Sequence, residues 1–250
     1  MSLRRFYLPP EMAQHPQPEI SGSDAVHICR VLRLSAGDAV ELFDGTGNGY
    51  RARIMSASPK RVLFHIQETF AHLSESSVHI TLAQGILKDR KMDDLIRQLT
   101  ELGIDCWMPF YAARSVPVPV KKGMGTRLGR WEKIAIEAVK QCRRGHVPSI
   151  TPADDFDAML EMAAESDLKI IFWEGAPQAF DIPRTAPQKP KKITVAVGPE
   201  GGFDPGEIQR AHAHGFLTTG MGPRILRAET ATLAACTLVQ YRFGDMGLRD

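Results

Sequence analysis

Residues 197–203 read Val-Gly-Pro-Glu-Gly-Gly-Phe, and residues 221–231 read Met-Gly-Pro-Arg-Ile-Leu-Arg-Ala-Glu-Thr-Ala. Each stretch follows an apolar run that predicts a buried strand, at 193–197 and 215–219. Each then leads into a helical pattern, at 204–214 and 229–242. Ligands of open α/β sheets bind where loops leave the carboxyl ends of strands. The two stretches, called here the first loop and the second loop, therefore predict a ligand site in an α/β domain.

Glycine and proline make both loops suitable for binding, because glycine lets a backbone approach a ligand and proline lowers the entropy lost on binding. Tight strand-to-helix turns would explain either loop alone. The second loop contains three charged residues within a stretch of six: Arg224, Arg227 and Glu229. This concentration of charge favours a functional site.

Other site types are disfavoured. The sequence contains no Walker-type phosphate loop and no G-x-G-x-x-G that leads into a helix. The glycines at 45–49 precede an alternating run and predict a hairpin turn followed by a strand. The four cysteines are far apart, form no C-x-x-C pair and indicate neither a zinc site nor a disulfide framework. We expect no metal.

Composition is that of an ordinary globular protein, with 250 residues, 43% hydrophobic and 24% charged. No apolar run has the length of a membrane span, and the first residues lack the apolar core of a signal peptide. We therefore expect a cytoplasmic protein that does not associate with membranes.

Residues 1–72 predict a small β-rich domain, with short strands at about ten-residue spacing that favour a barrel. A polar stretch at 71–77 is typical of a linker. Residues 73–250 alternate apolar strand patterns with amphipathic helices, which predicts an α/β domain.

Net charge is only +2, but nine basic residues and two acidic ones lie between Arg114 and His146. Such a segment is a candidate phosphate footprint, or else a solvated helix face. The N-terminal domain is nearly neutral, with eight basic residues against seven acidic ones.

The two loops closely resemble the C-terminal signature of the RsmE family of bacterial 16S ribosomal RNA methyltransferases, in the SPOUT (α/β-knot) superfamily. Three further blocks extend the resemblance over nearly the whole chain: R-R-F-Y (4–7) with H-x-x-x-V-L-R (27–33), residues 88–104, and residues 131–148. Alanine stands at 113 where the family has an acidic residue before Arg114.

The resemblance implies a PUA-like β-barrel RNA-binding domain at 1–72 and a SPOUT α/β domain with a deep trefoil knot at 73–250. It also implies a homodimer that uses S-adenosyl-L-methionine to methylate N3 of a specific uridine (U1498) in 16S rRNA of the small ribosomal subunit. The cofactor-binding residues that it implies are Trp173, Glu174, Gly198, Pro199, Glu200, Gly201, Gly202, Met221, Gly222, Pro223, Ile225, Leu226, Arg227, Thr230 and Ala231.

Catalytic and RNA-binding candidates follow from the reaction. The neutral imide of uridine is a poor nucleophile, and a guanidinium beside the uracil oxygens would stabilise its anion. Arg227 is the first candidate and Arg224 the second, while Glu229 would orient an arginine, accept the proton or cap the last helix. The RNA-binding candidates are Arg4, Arg5, Arg30, Arg33, Lys88, Arg90, Arg114, Gln141 and Arg144.

Two rival functions stay open at this point. One is a SPOUT enzyme that methylates another atom, such as a ribose 2′-hydroxyl. The other is a non-catalytic RNA-binding or ribosome-assembly factor, which would bind RNA without the cofactor. The intact loops argue against the second, and a nucleotide hydrolase is disfavoured because the chain lacks a phosphate loop.

Overall fold

A computed structural model describes residues 3–72, 75–117, 124–176, 180 and 187–247. Its contacts divide the chain into two compact units, one made of 1–75 with 139–147 and the other of 76–138 with 148–250. The sequence division places 139–147 entirely in the second domain, whereas the contacts group this segment with the N-terminal residues. Residues 73 and 74 of the predicted linker lie outside the described residues.

The N-terminal unit contains a five-stranded sheet in the order β1-β3-β4-β5-β2. Along β4, buried and exposed side chains mostly alternate, as the sequence pattern predicts for a strand with one face on a core. An α-helix over Gly22–Val26 continues directly as a π-helical segment over His27–Val31. The elements are β1 Arg5–Tyr7, α1 Pro10–Ala13, β2 Glu19–Ser21, α2 Gly22–Val26, the π-helical segment His27–Val31, β3 Ala39–Phe43, β4 Asn48–Ala57 and β5 Arg61–Ala71.

The second unit contains a six-stranded sheet in the order β11-β9-β10-β6-β7-β8, in which every neighbouring pair is parallel. The predicted α/β domain is therefore confirmed. The elements are β6 His79–Gly85, α3 Lys91–Glu101, β7 Cys106–Phe110, α4 Met124–Cys142, β8 Ser149–Ile150, α5 Phe156–Met162, β9 Leu168–Phe172, β10 Lys192–Val197, α6 Pro205–Ala213, β11 Leu217–Thr219 and α7 Ala228–Phe243.

The central strands are buried on both faces, so they are apolar along most of their length. Every residue of β7 is buried, and so are five of the six residues of β10. The strand and helix predicted around the first loop are confirmed, with Asp204 and Glu207 forming a capping box at the start of α6. The strand before the second loop is shorter than predicted and begins at Leu217.

An ion pair between Glu75 and Arg144 holds 139–147 within the N-terminal unit. Both side chains are largely buried, at 17% and 7% exposure, and their atoms approach to 2.9 Å. Glu75 also accepts hydrogen bonds from the backbone N–H groups of Gly145 and His146, at 2.9 and 3.0 Å. Burial alone would raise the pKa of Glu75, but the hydrogen bond and charge of Arg144 and the two N–H groups lower it below its ordinary 4.5.

Replacing Glu75 with glutamine is expected to lower the free energy of unfolding by about 3 kcal/mol, because it removes the charge of a carboxylate that pairs with the buried Arg144 guanidinium. Urea denaturation at neutral pH measures the loss. A folded-state carboxyl with a lowered pKa stabilises the protein above its unfolded pKa, and this contribution is lost as pH falls through the folded value. The difference between wild type and variant therefore shrinks on acidification.

Glu68→Gln is the matched control, since Glu68 pairs with Arg51 on the surface of the same unit, where the two side chains are 51% and 60% exposed. An exposed pair of this kind contributes less than about 1 kcal/mol. Equal losses in the two variants would contradict the role assigned to Glu75.

Candidate functional site

A cavity of about 600 Å³ lies in the second unit, at the carboxyl ends of β9, β10 and β11. The loops that follow these three strands form its walls, which is the position expected for a ligand site in a parallel sheet. Its volume lies in the range that holds a small-molecule ligand.

Most of the predicted cofactor-binding residues line this cavity. They are Trp173, Glu174, Gly198, Pro199, Glu200, Gly201, Gly202, Met221, Gly222, Pro223, Ile225, Leu226 and Ala231. Arg227 and Thr230 were also predicted, but neither is among the lining residues because both lie on the exposed start of α7. Arg224, predicted as catalytic, does line the cavity.

Phe203 anchors the first loop. Its ring is 1% exposed and packs against Phe110 and Phe156, with centroid distances of 6.4 and 5.7 Å. Directly before it, Gly202 has φ +67° and donates its N–H to the Pro199 carbonyl at 2.9 Å. A side chain at 202 would be strained and would overlap the Glu174 carboxylate, which explains the need for glycine.

A buried glutamine connects the floor of the cavity to the last helix. Gln84 is fully buried near the end of β6 and accepts a hydrogen bond from the Thr232 hydroxyl of α7 at 2.6 Å. Its amide NH₂ donates to the carbonyls of Gly85 at 2.9 Å and Gly198 at 3.3 Å. A buried amide requires such partners, so these bonds fix the first loop relative to α7.

The second loop places two arginines differently. Arg224 lines the cavity, whereas Arg227 occupies the N-cap position of α7 and is exposed. Ile225 lines the cavity although its side chain is 87% exposed, so it covers less of the pocket than Met221 and Leu226 do.

Glu229, the second residue of α7, is paired with Lys91 of α3, with the ammonium 3.1 Å from its carboxylate. The hydrogen bond from its own backbone N–H, followed by the bond and charge of Lys91, lowers its pKa below the ordinary value. The pKa of Lys91 is raised, chiefly by the hydrogen bond to Glu229. A carboxylate held in this way is a weak base, which favours the predicted capping and orienting roles over proton acceptance.

Arg114 contacts the first loop. Its guanidinium donates to the Gly201 carbonyl and to Asp204, both at 3.3 Å. The buried Glu207 accepts the N–H of Ala113 at 2.9 Å and so holds the turn that carries Arg114. Asp204 thus supplies a carboxylate to the arginine although alanine stands at 113.

The basic excess between 114 and 146 is partly balanced by carboxylates from elsewhere in the chain. In the second unit, Arg114 pairs with Asp204 and Arg130 with Asp93; in the N-terminal unit, Lys140 pairs with Asp24 and Arg144 with Glu75. Lys121 and Lys122 lie outside the described residues. Counting charges along the sequence therefore overstates the positive charge of the candidate phosphate footprint.

Two predicted RNA-binding residues need correction, because their side chains are buried in other contacts. Arg144 forms the buried ion pair with Glu75. Arg5 is 7% exposed, lies 3.1 Å from Glu41, stacks over Phe43 at 4.0 Å and donates to the carbonyls of Val139 and Arg144 at 3.0 and 2.5 Å. The side chains of the remaining candidates are exposed: Arg4, Arg30, Arg33, Lys88, Arg90, Arg114 and Gln141.

Sequence reasoning missed several residues of the site. Lys91 is the first residue of α3, and its position there gave no sign of a role at the site. Gln84 is a polar residue among the apolar residues of β6, and this pattern could have indicated its role. The lining residues that were not predicted are Phe172, Ala176, Val197, Phe203, Gly220 and Ala228. In the described ranges, no group of three or more His, Cys, Asp or Glu side chains is placed to hold a metal ion, and no helix there could span a membrane.

Comparisons with known proteins place this site in a family. A model described as the RNA methyltransferase domain matches residues 74–240, and one described as the RNA methyltransferase PUA domain matches residues 20–67. The fold and the site are therefore those of an RNA methyltransferase.

The relatives are similar over almost their whole length. Ribosomal RNA small subunit methyltransferase E of Bacillus subtilis is 30% identical over 237 residues, 93% of each chain. A methyltransferase structure from Legionella pneumophila, in complex with S-adenosylmethionine, superposes with a TM-score of 0.87 at 31% identity and covers 98% of this chain and 100% of that one. Ribosomal RNA small subunit methyltransferase E of Neisseria gonorrhoeae, bound to S-adenosylmethionine, gives 0.84 at 30% identity, with 98% and 99% covered. The chain belongs to the RsmE family.

Replacing Gly202 with alanine is expected to lower the free energy of unfolding by about 1–2 kcal/mol, because a side chain at positive φ is strained. Thermal denaturation measures the change. Gly125→Ala is the control: it lies in the first turn of α4 with open space around its Cα, and alanine there should stabilise the helix by about 0.5–1 kcal/mol. A Gly202→Ala variant as stable as wild type would contradict the strain argument.

Proposed function

We propose that this protein transfers a methyl group from S-adenosylmethionine to N3 of a specific uridine in 16S ribosomal RNA of the small subunit. The observation that carries the proposal is the cavity formed by the two loops, in a chain that resembles RsmE enzymes along more than nine tenths of its length. Two similar structures contain S-adenosylmethionine.

The residues of the cavity suit this methyl donor. When bound, S-adenosylmethionine supplies an electrophilic methyl group on a positively charged sulfonium. The carboxylates of Glu174 and Glu200 border the cavity and complement a cationic ligand. Met221 and Leu226 offer apolar surface to a purine ring, and the glycines of both loops expose backbone groups for hydrogen bonds.

The chain's arginines would serve the acceptor. The N3 of uridine carries a proton, and a positioned cation favours the imide anion by preorganised electrostatic stabilisation. Arg227, at the N-cap of α7 and outside the lining of the cavity, would act on the acceptor, and Arg224 lies within the lining. Glu229 and Lys91 would hold the start of α7 and hence Arg227.

N3 is on the Watson–Crick edge of uracil, so the target nucleotide must be unpaired or extruded to react. Exposed basic residues would bind the surrounding phosphates. We assign this role to Arg4, Arg30 and Arg33 in the N-terminal unit, and to Lys88, Arg90 and Arg114 in the second unit, with Gln141 as a polar contact.

We also infer three properties from family membership. The domains divide at about residue 72, and the parallel domain carries the trefoil knot of the SPOUT superfamily.

The enzyme acts as a homodimer. Two exposed apolar side chains support this, Ile225 at 87% exposure and Tyr241 of α7 at 61%. Since the proposed substrate is a ribosomal RNA, the protein would act in the cytoplasm.

Product analysis tests the proposed reaction. Small ribosomal subunits lacking the modification are incubated with the protein and methyl-labelled S-adenosylmethionine, then digested to nucleosides. We expect label in 3-methyluridine. Label in a ribose-methylated nucleoside would overturn the assigned atom, and absence of both label and donor binding would favour a non-catalytic RNA-binding factor.

Arg227→Ala is expected to lower kcat by roughly 10²-fold, the effect of removing one preorganised charge donor, while donor affinity stays unchanged. Steady-state kinetics and calorimetric titration with S-adenosylmethionine separate the two quantities.

Arg224→Ala is the comparison variant and should lower kcat by a smaller factor, because Arg224 is the second candidate for stabilising the imide anion. Arg97→Ala, on the exposed face of α3 beside Asp94, should change neither quantity. An unchanged turnover in Arg227→Ala would remove that residue from the mechanism.

A further inference from the structure

Lys91, the first residue of α3, bridges two carboxylates that belong to different parts of the site. Its ammonium lies 3.2 Å from Glu200 and 3.1 Å from Glu229. The three side chains are between 23% and 32% exposed, so solvent screens them only in part. One cation therefore serves two anions at the edge of the cavity.

Each carboxylate is held by a second contact. The N–H of Lys88 donates to the same oxygen of Glu200 that Lys91 approaches, at 3.1 Å. The backbone N–H of Glu229 itself, at the start of α7, lowers the pKa of the Glu229 carboxyl together with Lys91. The turn before Lys91 is itself anchored, since the N–H of Leu87 points at the sulfur of the buried Met92 at 3.5 Å.

The two carboxylates are attached to the two loops that form the cavity. Glu200 lies within the first loop and lines the cavity. Glu229 follows Ala228, which also lines it, and comes two residues after Arg227. A displacement of Glu200 relative to Glu229 would therefore change both the shape of the cavity and the position of Arg227.

We propose that Lys91 is a positioning residue for methyl transfer, which holds the first loop and the start of α7 at the separation that donor binding and Arg227 require. This inference rests on the proposed function. Without the ammonium, Glu200 and Glu229 would repel each other. The Lys88 N–H would still hold Glu200 of the first loop beside the start of α3, but this bond does not reach α7. The Gln84–Thr232 hydrogen bond fixes the buried end of the same junction, so Lys91 acts at its solvent side.

Lys91→Met tests the inference, because methionine keeps an unbranched stem and removes the charge. We expect S-adenosylmethionine affinity to fall roughly fivefold, about the value of one partly exposed ion pair, and kcat to fall as well. Lys91→Arg should retain near wild-type values. Glu229→Gln removes one of the two partners and should give a smaller loss in the same direction.

Lys192→Met is the matched control, since Lys192 lies at the start of β10 and its ammonium approaches the exposed Glu165 at 3.9 Å. It should leave donor affinity and turnover unchanged. The double variant Lys91→Met with Glu229→Gln should lose little more than Lys91→Met alone, because both changes break one cluster.

Several outcomes would overturn the inference. One is a Lys91→Met variant that equals Lys192→Met in donor affinity and turnover. Another is a Lys91→Arg variant that is as impaired as Lys91→Met at unchanged melting temperature. A rise in KM for RNA alone, with donor affinity intact, would instead make Lys91 an RNA contact. A wild-type chain that binds no S-adenosylmethionine would overturn the proposed function, and this inference with it.

Discussion

The cavity depends on one buried amide. Gln84 is fully buried near the end of β6, so its oxygen and its NH₂ group must find partners within the protein. Thr232 supplies the donor from α7, and the Gly198 carbonyl supplies an acceptor from the first loop. Three segments distant in sequence are thus joined at one point, and the two loops can enclose a ligand only where they are joined.

Much of the fold was predictable because its signals are local. The apolar run before the first loop predicts β10, and the Asp204–Glu207 spacing predicts the start of α6. The resemblance extended this to most residues that line the cavity. Arg227 and Thr230 were predicted as cofactor-binding residues as well; Arg227 is the N-cap of α7, Thr230 lies in its first turn, and both are exposed outside the lining of the cavity.

What the sequence did not predict depends on long-range electrostatic pairing. Arg144 resembles a free cation in a basic segment, yet its carboxylate partner Glu75 lies 69 residues earlier. Arg5 is similar, with hydrogen bonds to backbone carbonyls more than 130 residues away. Lys91 belongs to a segment that the family resemblance covers, but its proposed positioning role depends on an ion pair with Glu229, 138 residues later. A charge count along the chain cannot distinguish an arginine that binds phosphate from one that neutralises a buried carboxylate.

The distribution of charge around the cavity corresponds to the two substrates of the proposed reaction. Glu174 and Glu200 lie in the loops after β9 and β10, which would face a cationic donor, whereas Arg224 and Arg227 lie in the second loop, which would meet a polyanionic acceptor. If the two sets were mixed, each arginine would pair with a carboxylate and be lost to the uracil oxygens. Lys91 takes up Glu200 and Glu229 together, which leaves Arg227 close to α7 without the Glu229 carboxylate being fully available to pair with it. In the proposed mechanism, the lysine that would hold the first loop and α7 in place would therefore also leave more of the Arg227 charge for the uracil anion.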